Sequence, residues 1–134
     1  MKYLLDTNIC IYLIKRKPPR VQRELLACSV GDVAVSSITV AELEFGVQKS
    51  AAPSRNMDAL MQFLMPLAIV DFDFAAAACY GKVRAALEKR GKPIGPLDTL
   101  IAAHALSLDL TLVTNNTREF RRVSGLKVAN WARG

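Results

Sequence analysis

Asp6, Glu42, Asp98 and Glu119 are the carboxylates of this 134-residue chain whose surroundings suggest chemistry. Asp6 interrupts YLLDTNICIYLI, Tyr3 to Ile14, where an apolar opening of the kind that makes a buried strand runs straight into an acid. A buried carboxylate is costly unless something neutralises it, so a partner must come from elsewhere in the chain or from a metal. Glu42 lies in SSITVAELEFGVQKS. At about 100° per residue it shares a helix face with Ile38 and Phe45, while Val40, Leu43 and Val47 cover the other side. That helix is predicted to be apolar nearly all round and buried, with Glu44 the more solvent-facing acid. Asp98, in GPLDTLIAAHAL, falls on the stripe of Ile101, Ala102 and Ala105. Gathered together, Asp6, Glu42 and Asp98 would repel one another unless they shared a proton or held a cation. Hard oxygen donors favour Mg²⁺ or Mn²⁺.

Each acid also has a structural explanation. Thr39 to Glu42 fits a capping box, and Asn116 to Glu119 is a close relative of one. Asp98 follows Pro96 by two and suits a helix dipole, and Asp6 could cap the helix after it. Singly, these readings suffice; three acids plus an Asn with an acid at i+3, all expected near one sheet edge, favour a metal site. His104 has no metal-spaced partner and is expected to pack near the surface of its helix. No GxSxG, GxxxxGK[ST] or GxGxxG occurs, so acyl-hydrolase, P-loop and dinucleotide readings have no support.

The elements that must position these groups alternate short apolar runs with longer helical patterns, the rhythm of an α/β domain with a mostly parallel sheet. Strands are predicted at Lys2–Leu5, Val33–Ser36, Ala68–Asp71, Thr111–Thr114 and Lys127–Ala129. Helices are predicted at Asn8–Ile14, Pro19–Cys28, Ile38–Lys49, Arg55–Met65, Phe74–Arg90 and Pro96–Leu108, with Ser54 and Asn116 as N-caps. In open α/β sheets ligands bind outside the carboxyl ends of the strands. Asp6 follows the first strand, Asn116 and Glu119 follow the fourth, and Glu42 and Asp98 open helices near the same edge.

The length fits a single domain, residues 1–134, and 51% apolar residues are enough for one core. The start of the chain has no signal-peptide core and no apolar run could span a bilayer, so a cytoplasmic protein is expected. Three widely spaced cysteines without a CxxC pair suggest reduced thiols rather than disulfides or zinc. A net charge of +6 makes nucleic acid a candidate partner. Lys15, Arg16, Lys17 and Arg20, with Arg118, Arg121 and Arg122, are candidates for phosphate contact, or simply a solvated basic face.

LLDTNICIYLI, SSITVAELEFGVQKS, IGPLDTLIAAHAL and LVTNNTREFRRVSGLKVANW, in this order over almost the whole chain, resemble the motifs of PIN-domain ribonucleases of the VapC toxin type. The resemblance implies a PIN-like three-layer fold with an acidic pocket at the C-terminal edge of its sheet, where Asp6, Glu42 and Asp98 bind Mg²⁺ or Mn²⁺. Many relatives carry an Asp soon after the fourth strand. Here Asn115 and Asn116 stand instead, with Glu119 as the nearest carboxylate. The resemblance further implies a homodimeric toxin held inactive by a VapB-type antitoxin, and a transfer RNA target, the initiator tRNA anticodon loop.

The expected function is a metal-dependent endoribonuclease, with Asn8, Thr114, Asn116 and Glu119 orienting water or substrate, and with Tyr12 and Tyr80 as stacking partners for bases. A second reading, from another class, is a catalytically silent PIN-like module that binds RNA or protein. A third, a phosphohydrolase with Asp6 as nucleophile, is disfavoured because Asn8 stands where such sites place a second acid.

Overall fold

The computed structural model describes residues 1–133, which form five strands and seven helices. In chain order these are β1 (Tyr3–Leu5), α1 (Thr7–Lys15), α2 (Pro19–Leu26), β2 (Val33–Ser36), α3 (Ser37–Gln48), α4 (Pro53–Leu64), β3 (Ala68–Val70), α5 (Phe74–Lys89), α6 (Pro96–Ser107), β4 (Thr111–Val113), α7 (Thr117–Phe120) and β5 (Val128–Ala129). All strand pairings are parallel, in the order β3-β2-β1-β4-β5.

Strand side chains alternate between faces, so a parallel sheet buried on both sides builds two cores. Leu5, Val35 and Val113 share a register position and pack with Ile9, Leu13, Leu43 and Leu60 of α1, α3 and α4. Leu4, Ala34 and Leu112, one residue back, pack with Val83, Leu87, Ile101 and Ala105 of α5 and α6. The three layers expected from the sequence are therefore present.

Predicted and observed elements differ at their ends by one or two residues, with three larger departures. The single turn α7 was not predicted, being too short to show a period. α4 starts at Pro53 with Ala52 before it, so Ser54 is not its cap. α3 is not buried all round: Leu43 and Val47 face the core while Ala41, Phe45 and Gly46 are exposed. That helix packs against β2, α1, α4 and α6, and Phe45, on its outer side, is 66% exposed.

His104 departs in the opposite sense and is completely buried, not near the surface. α6 is enclosed between α5 and the sheet, and its imidazole Nδ1 lies 2.8 Å from Ser36 Oγ at the end of β2. Burial lowers its pKa, so it is neutral at pH 7. No helix among the described residues is long and apolar enough to cross a membrane.

Candidate active site

β1 lies mid-sheet, with β2 and β3 on one side and β4 and β5 on the other, so the winding changes direction between β1 and β4. A crevice opens at the carboxyl ends of strands at such a switch point. Asp6 stands there, its backbone N–H donating to Val113 O across the gap. Its side chain does cap α1, accepting from Ile9 N at 2.9 Å, and it also accepts from the Thr114 hydroxyl at the end of β4. Only 5% of the residue is exposed. Burial pushes the carboxyl up to about 6; the two donors pull the other way, while the charges of Asp98 and Glu42 add to the rise. Removal from water thus outweighs two hydrogen bonds.

Glu42 is not half of a capping box. Ser36 caps α3, accepting from Ile38 N, and Thr39 lies inside the helix, buried. Glu42 instead receives the hydroxyl of Thr7, in the first turn of α1, at 2.8 Å, with the Thr39 hydroxyl 3.5 Å from Thr7. Glu44, like Glu42, is only partly exposed. Asp98 occupies the first turn of α6, half-buried. Its carboxyl is raised by burial first, then by the charges of Glu119 and Glu42.

The turn after β4 is braced on itself. Asn116 N donates to Thr114 Oγ1 at 2.9 Å, Asn116 Nδ2 donates to Glu119 Oε2 at 2.9 Å, and Asn115 Nδ2 donates to the Tyr12 hydroxyl at 2.7 Å. Asn116 therefore uses its amide to orient Glu119, and Glu119 is the group whose charge Asp98 feels. Asn8 is exposed.

The four carboxylates share one field, and among the described residues none pairs with a lysine or arginine. Nor do three His, Cys, Asp or Glu side chains among those residues meet in a ready-made metal cage. The donor chemistry nonetheless fits a hard divalent cation: oxygen ligands only, negative in sum, with the most buried member destabilised as an anion.

The basic residues divide. Lys15, Arg16, Lys17 and Arg20 are exposed at the α1–α2 corner. Lys15 lines a cleft of about 400 Å³ whose apolar walls are Ile11, Ile14, Leu43 and Leu60 and which also includes Thr7 and Glu42. Arg118 and Arg121 are exposed on or beside α7. Arg122 is instead a brace, donating to Pro93 O at 3.2 Å while its own carbonyl accepts from Arg90. Tyr12 stands at the site through Asn115, whereas Tyr80, on α5, has its hydroxyl bonded to Arg84 and not to any of the four carboxylates.

Sequence reasoning gave Thr7 no role and named Asn115 only as standing where relatives carry an Asp, without its bond to Tyr12. A hydroxyl one residue after Asp6, at the first position of a helix, was the available signal for Thr7.

A parallel α/β sheet with carboxylates gathered at its switch point defines a class, and residues 3–126 match the family described as PIN domain. The chain is 46% identical over 132 residues to the tRNA(fMet)-specific endonuclease VapC of Shigella flexneri, covering 98% of this chain and 99% of that one. It is 49% identical over 131 residues to ribonuclease VapC2 of Haemophilus influenzae, covering 98% of each. Among solved structures, a DNA-bound VapBC complex from Salmonella typhimurium superposes with a TM-score of 0.93 at 42% identity, covering 98% of each chain. The chain belongs to the VapC ribonucleases of the PIN-domain family.

Proposed function

We propose that this protein is the toxin of a toxin–antitoxin pair, an endoribonuclease that hydrolyses RNA phosphodiester bonds with Mg²⁺ or Mn²⁺ held by Asp6, Glu42 and Asp98. The observation that carries this reading is the set of four mutually repelling carboxylates, with no basic partner among the described residues, at the strand ends. A divalent cation bound there would activate water and offset the charge developing at the scissile phosphate. The chain's own residues prepare the site. Thr114 and Ile9 N–H fix Asp6, Thr7 fixes Glu42, and Asn116 fixes Glu119, the carboxylate best placed to orient water. Asn8, Lys15, Arg16, Lys17 and Arg118 are the polar and basic groups that would meet the substrate.

The substrate we infer is transfer RNA, the initiator species, on the strength of the Shigella relative's specificity. Cleavage of purified initiator tRNA in Mg²⁺ or Mn²⁺, compared with Asp6→Asn, tests the reading; equal cleavage by both proteins refutes it. The lack of a preformed cage favours one rival, a catalytically silent PIN-like module. A melting temperature that rises with Mg²⁺ or Mn²⁺ separates the two, because a ligand of the folded state alone must stabilise it.

The VapBC neighbours support a VapB-type antitoxin as partner. The cleft running from Lys15 past Ile11, Leu43 and Leu60 to Glu42 suits a segment with an apolar face and a cationic end. Phe45, Ile69 and Phe74, all exposed, are candidates for a homodimer face. We place the activity in the cytoplasm, where transfer RNA is found. Size-exclusion of the protein alone and with the product of a neighbouring small open reading frame tests both assemblies.

A further inference from the structure

Beside the acidic crevice lies a second hollow, of about 270 Å³, between α5 and the loop that leads into α6. Tyr80, Arg84 and Glu88 form one wall, three side chains at successive i+4 positions of α5; Pro93 and Pro96 form the rim, with Thr99 at the foot of α6. Tyr80 is half-buried, its hydroxyl accepting from Arg84 at 3.0 Å, and Arg84 Nε donates to Glu88 Oε2 at 2.8 Å. The guanidinium is thus held between a phenol and a carboxylate.

The position of the hollow gives it a meaning. Pro96 and Thr99 belong to the same first turn of α6 as Asp98. Its rim is tied to the segment after β4, since Arg122 donates to Pro93 O and Arg90 donates to Arg122 O. Along the chain, exposed Lys92 adjoins Pro93 and exposed Arg121 adjoins Arg122, with exposed Arg118 one helical turn earlier. A strand of RNA whose phosphate reaches Asp98 and Glu119 would therefore pass over this basic rim with a neighbouring base beside the hollow.

Resting on the ribonuclease reading above, we propose that the hollow receives one unstacked base of the RNA substrate next to the cleaved bond. RNA loops are recognised by splaying bases out onto aromatic rings and guanidinium planes. Tyr80 and Arg84 offer both. The volume falls just below the roughly 300–1,000 Å³ of pockets for drug-sized ligands, which suits a single heteroaromatic base. Glu88 is an acceptor only, so it selects a base that presents donors. Guanine offers an adjacent ring N–H and amino group, and is the base this wall fits.

The test separates binding from cleavage. The probe is a fluorescently labelled initiator-tRNA anticodon stem–loop, intact or with single abasic positions, titrated with the full-length protein in EDTA so that no cleavage intrudes. One abasic position, at or beside the cleaved bond, is expected to weaken binding on the order of tenfold. Tyr80→Ala should weaken binding of the intact RNA by the same factor and have no further effect on that abasic RNA, while Tyr80→Phe, which keeps the ring, binds like the wild type. Glu88→Gln should reduce the preference for guanine at that position severalfold. Independent, multiplying losses from Tyr80→Ala and the abasic site overturn the proposal, as do equal affinities for all the RNAs or no binding at all. Cleavage by the wild-type protein in Mn²⁺, scored separately, reports on the ribonuclease reading alone.

Discussion

Asp32, Glu88 and Asp109 each lie beside a base: Lys2 at 4.0 Å, Arg84 at 2.8 Å and Lys127 at 3.2 Å. Asp6, Glu42, Asp98 and Glu119 gather at the strand ends, and their partners are hydroxyls, an amide and a backbone N–H, with no ammonium or guanidinium among the described residues. The first set is neutralised where it stands, at the cost of side-chain freedom and with little net gain. The second is held in place without being neutralised. Leaving these charges unneutralised costs stability, which the proposed metal site would require and a purely structural cluster would not.

The sharpest way to break the contrast is Asp6→Asn. Cleavage in Mg²⁺ or Mn²⁺ should fall by about 10²–10³-fold or more, a loss comparable with removing one transition-state stabilising group. Without metal, the same variant should melt higher than the wild type at pH 7.5, since Asn still caps α1 and no longer carries a desolvated charge. At pH 4 that gain should vanish.

The pH dependence follows from the same residue. The folded Asp6 carboxyl keeps its proton up to about 6, against an ordinary value of 3.8. Between these values the folded protein binds more protons than the unfolded chain, so Asp6's favourable contribution is fully present below 3.8 and is lost as pH rises through about 6. The loss is on the order of 3 kcal/mol. Chemical unfolding across pH 4 to 7 measures it, and saturating Mn²⁺ should remove most of it. A flat profile for wild type and Asp6→Asn alike would deny that the charge is left unneutralised.

A smaller effect is expected from Thr7→Val, which keeps the shape of the side chain but withdraws the hydroxyl from Glu42. Mn²⁺ affinity, read from the metal-induced rise in melting temperature, should weaken roughly 10–100-fold. Unchanged affinity would make Thr7 a bystander. The smallest effect is expected outside the crevice: Lys127→Ala, which frees Asp109 at the surface, should shift stability by less than about 0.5 kcal/mol.

The long elements were legible because burial on both faces of a parallel sheet imposes simple patterns: VAVS at Val33–Ser36 is apolar up to its terminal serine, and all four of its residues are buried. Asp6, Glu42 and Asp98 stood out as carboxylates on apolar surroundings, and the structure places their charges within reach of one another. What could not be read was tertiary. Thr39 and Glu42 had the spacing of a capping box, yet the helix starts three residues earlier than that reading requires, and Glu42 is held by Thr7 from 35 positions away. His104, without a metal-spaced partner, was expected near the surface; that Ser36 and Phe72 enclose it depends on packing, not on spacing. Arg122 resembled its neighbour Arg121 until Pro93, from another loop, supplied a carbonyl.

The central placement of β1 also has a consequence in time. Asp6 and Glu42 leave the ribosome early, whereas Asp98, Thr114 and Glu119 belong to the last third of the polypeptide, and β4 must slot in beside β1 before the crevice has its second wall. A chain lacking its last third therefore has only one wall of the proposed site.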